Sequence, residues 1–171
     1  FFAVAFCMFC EVSTSVERQY ALGAIAFVSL LMMLLGEKIE VRTQVVVAVA
    51  FTTIGEYVAS VVMGGYTYQF ENVPAYVPLG HGMVYLTSIA LARSGLFVRY
   101  ARIITASVIL LCGAWSIWGI SGFAEHGDAG GALLFSVFVI CLFNGRSPLV
   151  YLAAFFITTW LELIGTAAGA W

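Results

Sequence analysis

TQVVVAVAFTTIGEYVASVVM, residues 43–63, places a single carboxyl, Glu56, inside an otherwise uncharged apolar run. A bilayer's hydrocarbon core is spanned by about 20 such residues in helical form, so the run predicts a transmembrane helix. Working outward, further apolar stretches cover 1–11, 20–36, 81–97, 103–123, 131–143 and 149–171. The stretch at 131–143 is short for a span and predicts a tilted helix that recruits neighbours such as Ala129, Gly130 and Phe143. The expected fold class is therefore all-α: a polytopic transmembrane helix bundle of about seven spans, forming one domain over 1–171. A chain that opens on Phe1 and closes on Trp171 within an apolar segment reads as a piece of a longer protein.

Composition agrees. Hydrophobic residues make up 63 % of the chain and charged residues 9 %, with a mean hydropathy of +1.04. So few polar groups cannot cover a soluble globule. The net charge of −2, with no basic patch able to neutralise a run of phosphates, excludes a nucleic-acid partner. The lipid bilayer, and other membrane proteins packed in it, are the expected partners. Six of the seven Lys and Arg residues fall in 37–42, 93–102 and 144–148, which lie on one side if all seven stretches span. The positive-inside rule makes those loops cytoplasmic and turns 64–80 and 124–130 outward. Cys7, Cys10, Cys112 and Cys141 all fall in apolar stretches and read as inert thiols.

Glu56 has a counterpart. Thr52-Thr53-Ile54-Gly55-Glu56 is followed by Ala59-Ser60, and Thr158-Thr159-Trp160-Leu161-Glu162 is followed at the same steps by Gly165-Thr166. A carboxyl in lipid must be protonated, paired or functional. In α-helical spacing the Thr pairs and the following hydroxyl share a face with each Glu, so they are expected to hydrogen-bond it. Intramembrane Glu and Thr also tie helices together, with Gly and Ala allowing close approach, and that structural role stays open. The repeated frame favours Glu56 and Glu162 as a catalytic pair converging in one cavity. It also points to an internal duplication pairing 43–80 with 149–171.

Between the second and third complete stretches lies GGYTYQFENVPAYVPLGHG, residues 64–82, with aromatics and two prolines but no basic residue. Gly64-Gly65 is expected to end the preceding helix, and Pro74 and Pro78 to prevent a regular helix between them. The segment is either an outer interfacial loop or a stretch folded back over a polar cavity. Substrate contacts are expected from Thr52, Thr53, Ser60, Tyr66, Tyr68, Tyr76, His81 and Thr159. Glu125-His126-Gly127-Asp128 reads as an ordinary turn rather than a metal site, so no metal is expected. Phosphate-loop, zinc-protease and nucleophile-elbow motifs are missing from the sequence.

Glu56, Gly65-Tyr66-x-Tyr68 and Val73-Pro74-x-x-Val77-Pro78-Leu79, in that order, resemble a motif of the bacterial carotenoid-biosynthesis membrane proteins that include the carotenoid hydratases. The similarity covers about 25 residues, and the chain departs from it at Gly80-His81-Gly82, where a bulky aromatic is expected. The resemblance implies a multi-pass enzyme of the bacterial inner (plasma) membrane. Such an enzyme protonates an isoprenoid double bond and adds water without a cofactor. Two other classes fit the composition: a proton-coupled transporter, and a non-catalytic subunit of a larger membrane complex.

Overall fold

The computed structural model describes residues 15–65, 68, 70, 72–123 and 127–168, except for the side chains of 162, 165, 166 and 168. Among them the chain forms six α-helices and no strand. They are α1 (Val16–Leu34), α2 (Ile39–Glu56), α3 (Tyr76–Arg93), α4 (Gly95–Ile120), α5 (Ala129–Asn144) and α6 (Pro148–Ala168). A π-helical segment, Tyr57–Val62, continues α2 without a break. The first apolar stretch, with Cys7 and Cys10, lies outside the described residues. Cys112 and Cys141 are free.

Among the described residues three helical segments, fewer than the seven spans expected, are long and apolar enough to cross a membrane: Val16–Leu34, Ile39–Val62 and Gly95–Ile120. They carry large exposed apolar side chains, among them Phe51, Ile54, Leu110, Leu111 and Trp115. Apolar surface on that scale needs lipid or a protein partner.

Helix ends follow local chemistry. The Arg42 guanidinium reaches back to the end of α1, where Nε donates to Glu37 O at 2.8 Å and Nη2 to Leu35 O at 2.9 Å. It thereby satisfies carbonyls that a helix terminus leaves without partners. Ser94 Oγ caps α4 by accepting from Phe97 N, and Asp128 Oδ1 caps α5 by accepting from Gly131 N at 2.7 Å. The cap is the observed role of Asp128, while Glu125 and His126 lie outside the described residues. Pro148 opens α6 at the position where a missing N–H costs nothing.

Two expectations need correction. The third complete span starts at Tyr76 rather than 81, because Pro78 sits in the first turn of α3, where no intrahelical partner awaits its N–H. The basic stretch 93–102 is not a loop. Only Ser94 interrupts the helices, and Arg99 and Arg102 ride on the first turns of α4.

The chain divides into two compact units, 1–87 with 156–171 and 88–155, the divisions falling inside α3 and α6. In the first, Gly82 lets three helices meet. A Cβ there would stand 2.7 Å from Val49 Cγ2, 3.1 Å from Leu30 Cδ2 and 3.3 Å from Val45 Cγ1. In the second, Phe97, Leu142, Leu152 and Ala153 form a buried cluster backed by Ile104, Val108, Phe138 and Leu149. Phe138 and Phe155 stack at 4.2 Å between centroids.

The first unit also holds a polar pair that the sequence did not mark. Asn72 Nδ2 donates to Gln19 Oε1 at 3.1 Å, leaving Gln19 Nε2 and Asn72 Oδ1 buried without partners among the described residues. Each orphaned group costs about 1–3 kcal/mol, whereas apolar replacement of both partners avoids the penalty. Gln19→Leu alone is therefore expected to destabilise the protein, and Gln19→Leu/Asn72→Leu to be neutral or stabilising. Chemical unfolding of the three proteins side by side checks this.

Candidate functional site

Glu56 is the last α-helical residue of α2, and the chain changes its winding directly after it. Met63 N bonds to Val58 O, five residues back, at 2.9 Å, and Gly65 N to Ala59 O, six residues back, at 2.9 Å. The helix stops where Gly64 adopts φ +62°, a left-handed conformation that glycine reaches without Cβ strain. The wider winding of a π segment rotates the succeeding residues relative to their places on a continuous α-helix, and such segments recur at functional sites. From Ile39, Glu56 lies about 26 Å along the helix at 1.5 Å per residue. It thus stands farther along the helix than a start at Thr43 implied.

The chain after Gly65 folds inward. Tyr68, Val73, Pro74 and Pro78 are buried, so this part of 64–80 packs into protein instead of lying as an exposed interfacial loop. Tyr68 Oη donates to Glu56 Oε2 at 2.7 Å. From the other side, His81 Nε2 stands 3.8 Å from Glu56 Oε1, with the Glu56 side chain 14 % exposed and that of His81 34 %. His81 lies in the second turn of α3, and its Nδ1 meets Val77 O at 3.0 Å. A carbonyl only accepts, so Nδ1 carries a hydrogen and the lone-pair position of the neutral ring, Nε2, faces the carboxyl. The Glu56 carboxyl is thus partnered, as a largely buried acid requires.

The structure thus brings together Glu56, Tyr68 and His81, three of the residues expected from the sequence. The hydroxyls behave differently from expectation. Thr52 Oγ1 donates to Ala48 O at 2.9 Å, Thr53 Oγ1 to Val49 O at 2.6 Å, and Ser60 Oγ to the backbone oxygen of Glu56 at 2.7 Å. A carbonyl one turn back is always within reach of a helical Ser or Thr, and it takes the proton that was expected to serve the carboxyl. Thr159 is exposed, and Tyr76, half-buried, opens α3. Tyr66 and the Glu162 side chain lie outside the described residues, although the stretch of α6 bearing Glu162 belongs to the same compact unit as Glu56. Among the described residues no group of three His, Cys, Asp or Glu side chains is arranged to hold a metal.

Sequence reasoning missed the π segment and the pairing of Glu56 with Tyr68 and His81. No residue type in Tyr57–Val62 announces a wider winding. The only signal near it is Gly64-Gly65. Comparison of the chain with family models, with characterised proteins and with solved structures finds no match.

Proposed function

We propose that the chain is a multi-pass membrane protein spanning at its seven apolar stretches with the basic ends cytoplasmic, and that it performs acid–base chemistry on an apolar isoprenoid lipid. The observation that carries this reading is the contact of one largely buried carboxyl with a phenol at 2.7 Å and an imidazole at 3.8 Å. Nδ1 of His81 is anchored on Val77 O and Nε2 is turned to the acid, so in this reading the two groups exchange a proton. Such a unit stores a proton in a low-dielectric setting and delivers it to a positioned substrate.

The reaction that suits these groups is hydration of a carbon–carbon double bond. Glu56 gives its proton to one alkene carbon, the π electrons form the new C–H bond, and the adjacent carbon becomes cationic. Aromatic faces of the Tyr68–Tyr76 segment stabilise that cation. Water adds through its oxygen, and the resulting oxonium loses a proton to the Glu56 carboxylate, which restores the acid. The net change is alkene plus water to alcohol, with no change of redox state overall and no cofactor consumed. Tyr68 and His81 hold the carboxyl and share its proton. Glu162 enters this reading as the second acid through its matching sequence frame.

The test is incubation of the purified protein in nanodiscs with lycopene, an acyclic polyene, in D2O. Mass spectrometry is expected to find an alcohol carrying one carbon-bound deuterium. Unlabelled, unconverted polyene would contradict the proposal, and proton flux through the protein in liposomes would favour a transporter instead.

A further inference from the structure

We infer that Arg93, Arg99 and Arg102 form a binding site for the phosphate-bearing headgroup of an anionic membrane lipid. This rests on the membrane reading above but not on the chemistry proposed for Glu56.

The 26 residues of α4 reach about 39 Å, against roughly 30 Å of hydrocarbon. A helix that long either tilts or carries its surplus turns beyond the hydrocarbon. The C-terminal end carries exposed Trp115, Ile117, Trp118 and Ile120 and no charge, whereas the N-terminal end carries Arg99, Tyr100 and Arg102. The N-terminal end is the one that stands among the headgroups.

There the arginines are available. Arg99 and Arg102, three residues apart, are neighbours on one helix face, and Arg93 lies just across the single-residue break at Ser94. All three are exposed, and the only ion pair among the described residues is His81 with Glu56. Arg42, by contrast, is occupied by the carbonyls at the end of α1. The acids in the sequence of 88–155 are Glu125 and Asp128, both beyond the C-terminal residue of α4 in sequence, and Asp128 caps α5. The charge at Arg93–Arg102 is thus left for an external anion. Arg99 lies 5.6 Å over the Tyr100 ring, a pairing suited to the interfacial zone. Exposed Leu96, Val98 and Ile103 flank the guanidiniums, so an anion that brings acyl chains fits better than free phosphate.

The test is native mass spectrometry of the full chain released from nanodiscs containing equal phosphatidylglycerol and phosphatidylcholine. The wild type should retain phosphatidylglycerol with about tenfold preference. Arg99→Gln/Arg102→Gln should lose that preference, while Lys38→Gln/Arg146→Gln, which removes as much charge elsewhere, should keep it. Should the first variant fail to fold by circular dichroism, Arg93→Gln alone is expected to lower the preference and is read instead. No preference in the wild type, or equal loss in both double variants, would overturn the site. Extraction of the protein from membranes by alkaline carbonate would instead mark failure of the membrane reading itself.

Discussion

Glu56→Gln is expected to lower conversion of an isoprenoid substrate by about 10²- to 10⁴-fold, the range a positioned general acid contributes. The substitution changes little else, because the amide oxygen of Gln can still accept from Tyr68 Oη, which stands 2.7 Å from Oε2. What disappears is the ionisable carboxyl that the proposed chemistry requires. Tyr68→Phe should cost less, about 10- to 100-fold. It removes one hydrogen bond to a charged or partly charged acceptor, worth about 1.5–3 kcal/mol, and leaves the acid in place. Turnover measured with each folded variant separates these outcomes, and equal losses in both would assign Glu56 a structural role shared with Tyr68.

The largest stability effect is expected at Leu152, which is 0 % exposed and packs with Phe97, Leu142 and Ala153. If the chain lies in a bilayer as proposed, lipid tails are as apolar as a leucine side chain, and its burial gains little from the hydrophobic transfer that drives soluble folding. The gain lies in close packing, and truncation leaves a cavity that the surrounding helices only partly fill. Leu152→Ala should therefore cost about 2–3 kcal/mol, the lower part of the range for soluble cores. Leu110 and Leu111, exposed on α4, should tolerate the same change within about 0.5 kcal/mol. Unfolding in mixed micelles checks the contrast, and similar costs at Leu152 and Leu110 would contradict it.

The all-helical architecture was legible because unbroken apolar runs leave the chain few alternatives. Boundaries were less legible, for a specific reason. Hydropathy ends a span where charge begins, but arginine is a good helix former, so α4 extends through Arg99 and Arg102 to the cap at Ser94. Pro78 misled in the opposite sense, since a proline that breaks a helix interior is harmless in its first turn. For the site, residue types pointed to Glu56, Tyr68 and His81 one by one. Their meeting depends on the turn at Gly64 and on where α3 begins, which are matters of tertiary geometry that one-dimensional spacing does not encode. Thr52 and Thr53 do not bond the Glu56 carboxyl of their own helix because a short hydroxyl reaches the carbonyl one turn back first.

The most direct measurement is infrared spectroscopy of the Glu56 carboxyl in the folded protein, its band assigned by its disappearance in Glu56→Gln. If acid, phenol and imidazole act as one proton-sharing unit, the band moves in Tyr68→Phe and moves again in His81→Phe. A band that stays in place in both variants would mean that Glu56 keeps its proton independently of its neighbours, and the chemistry proposed for this protein would lose its foundation.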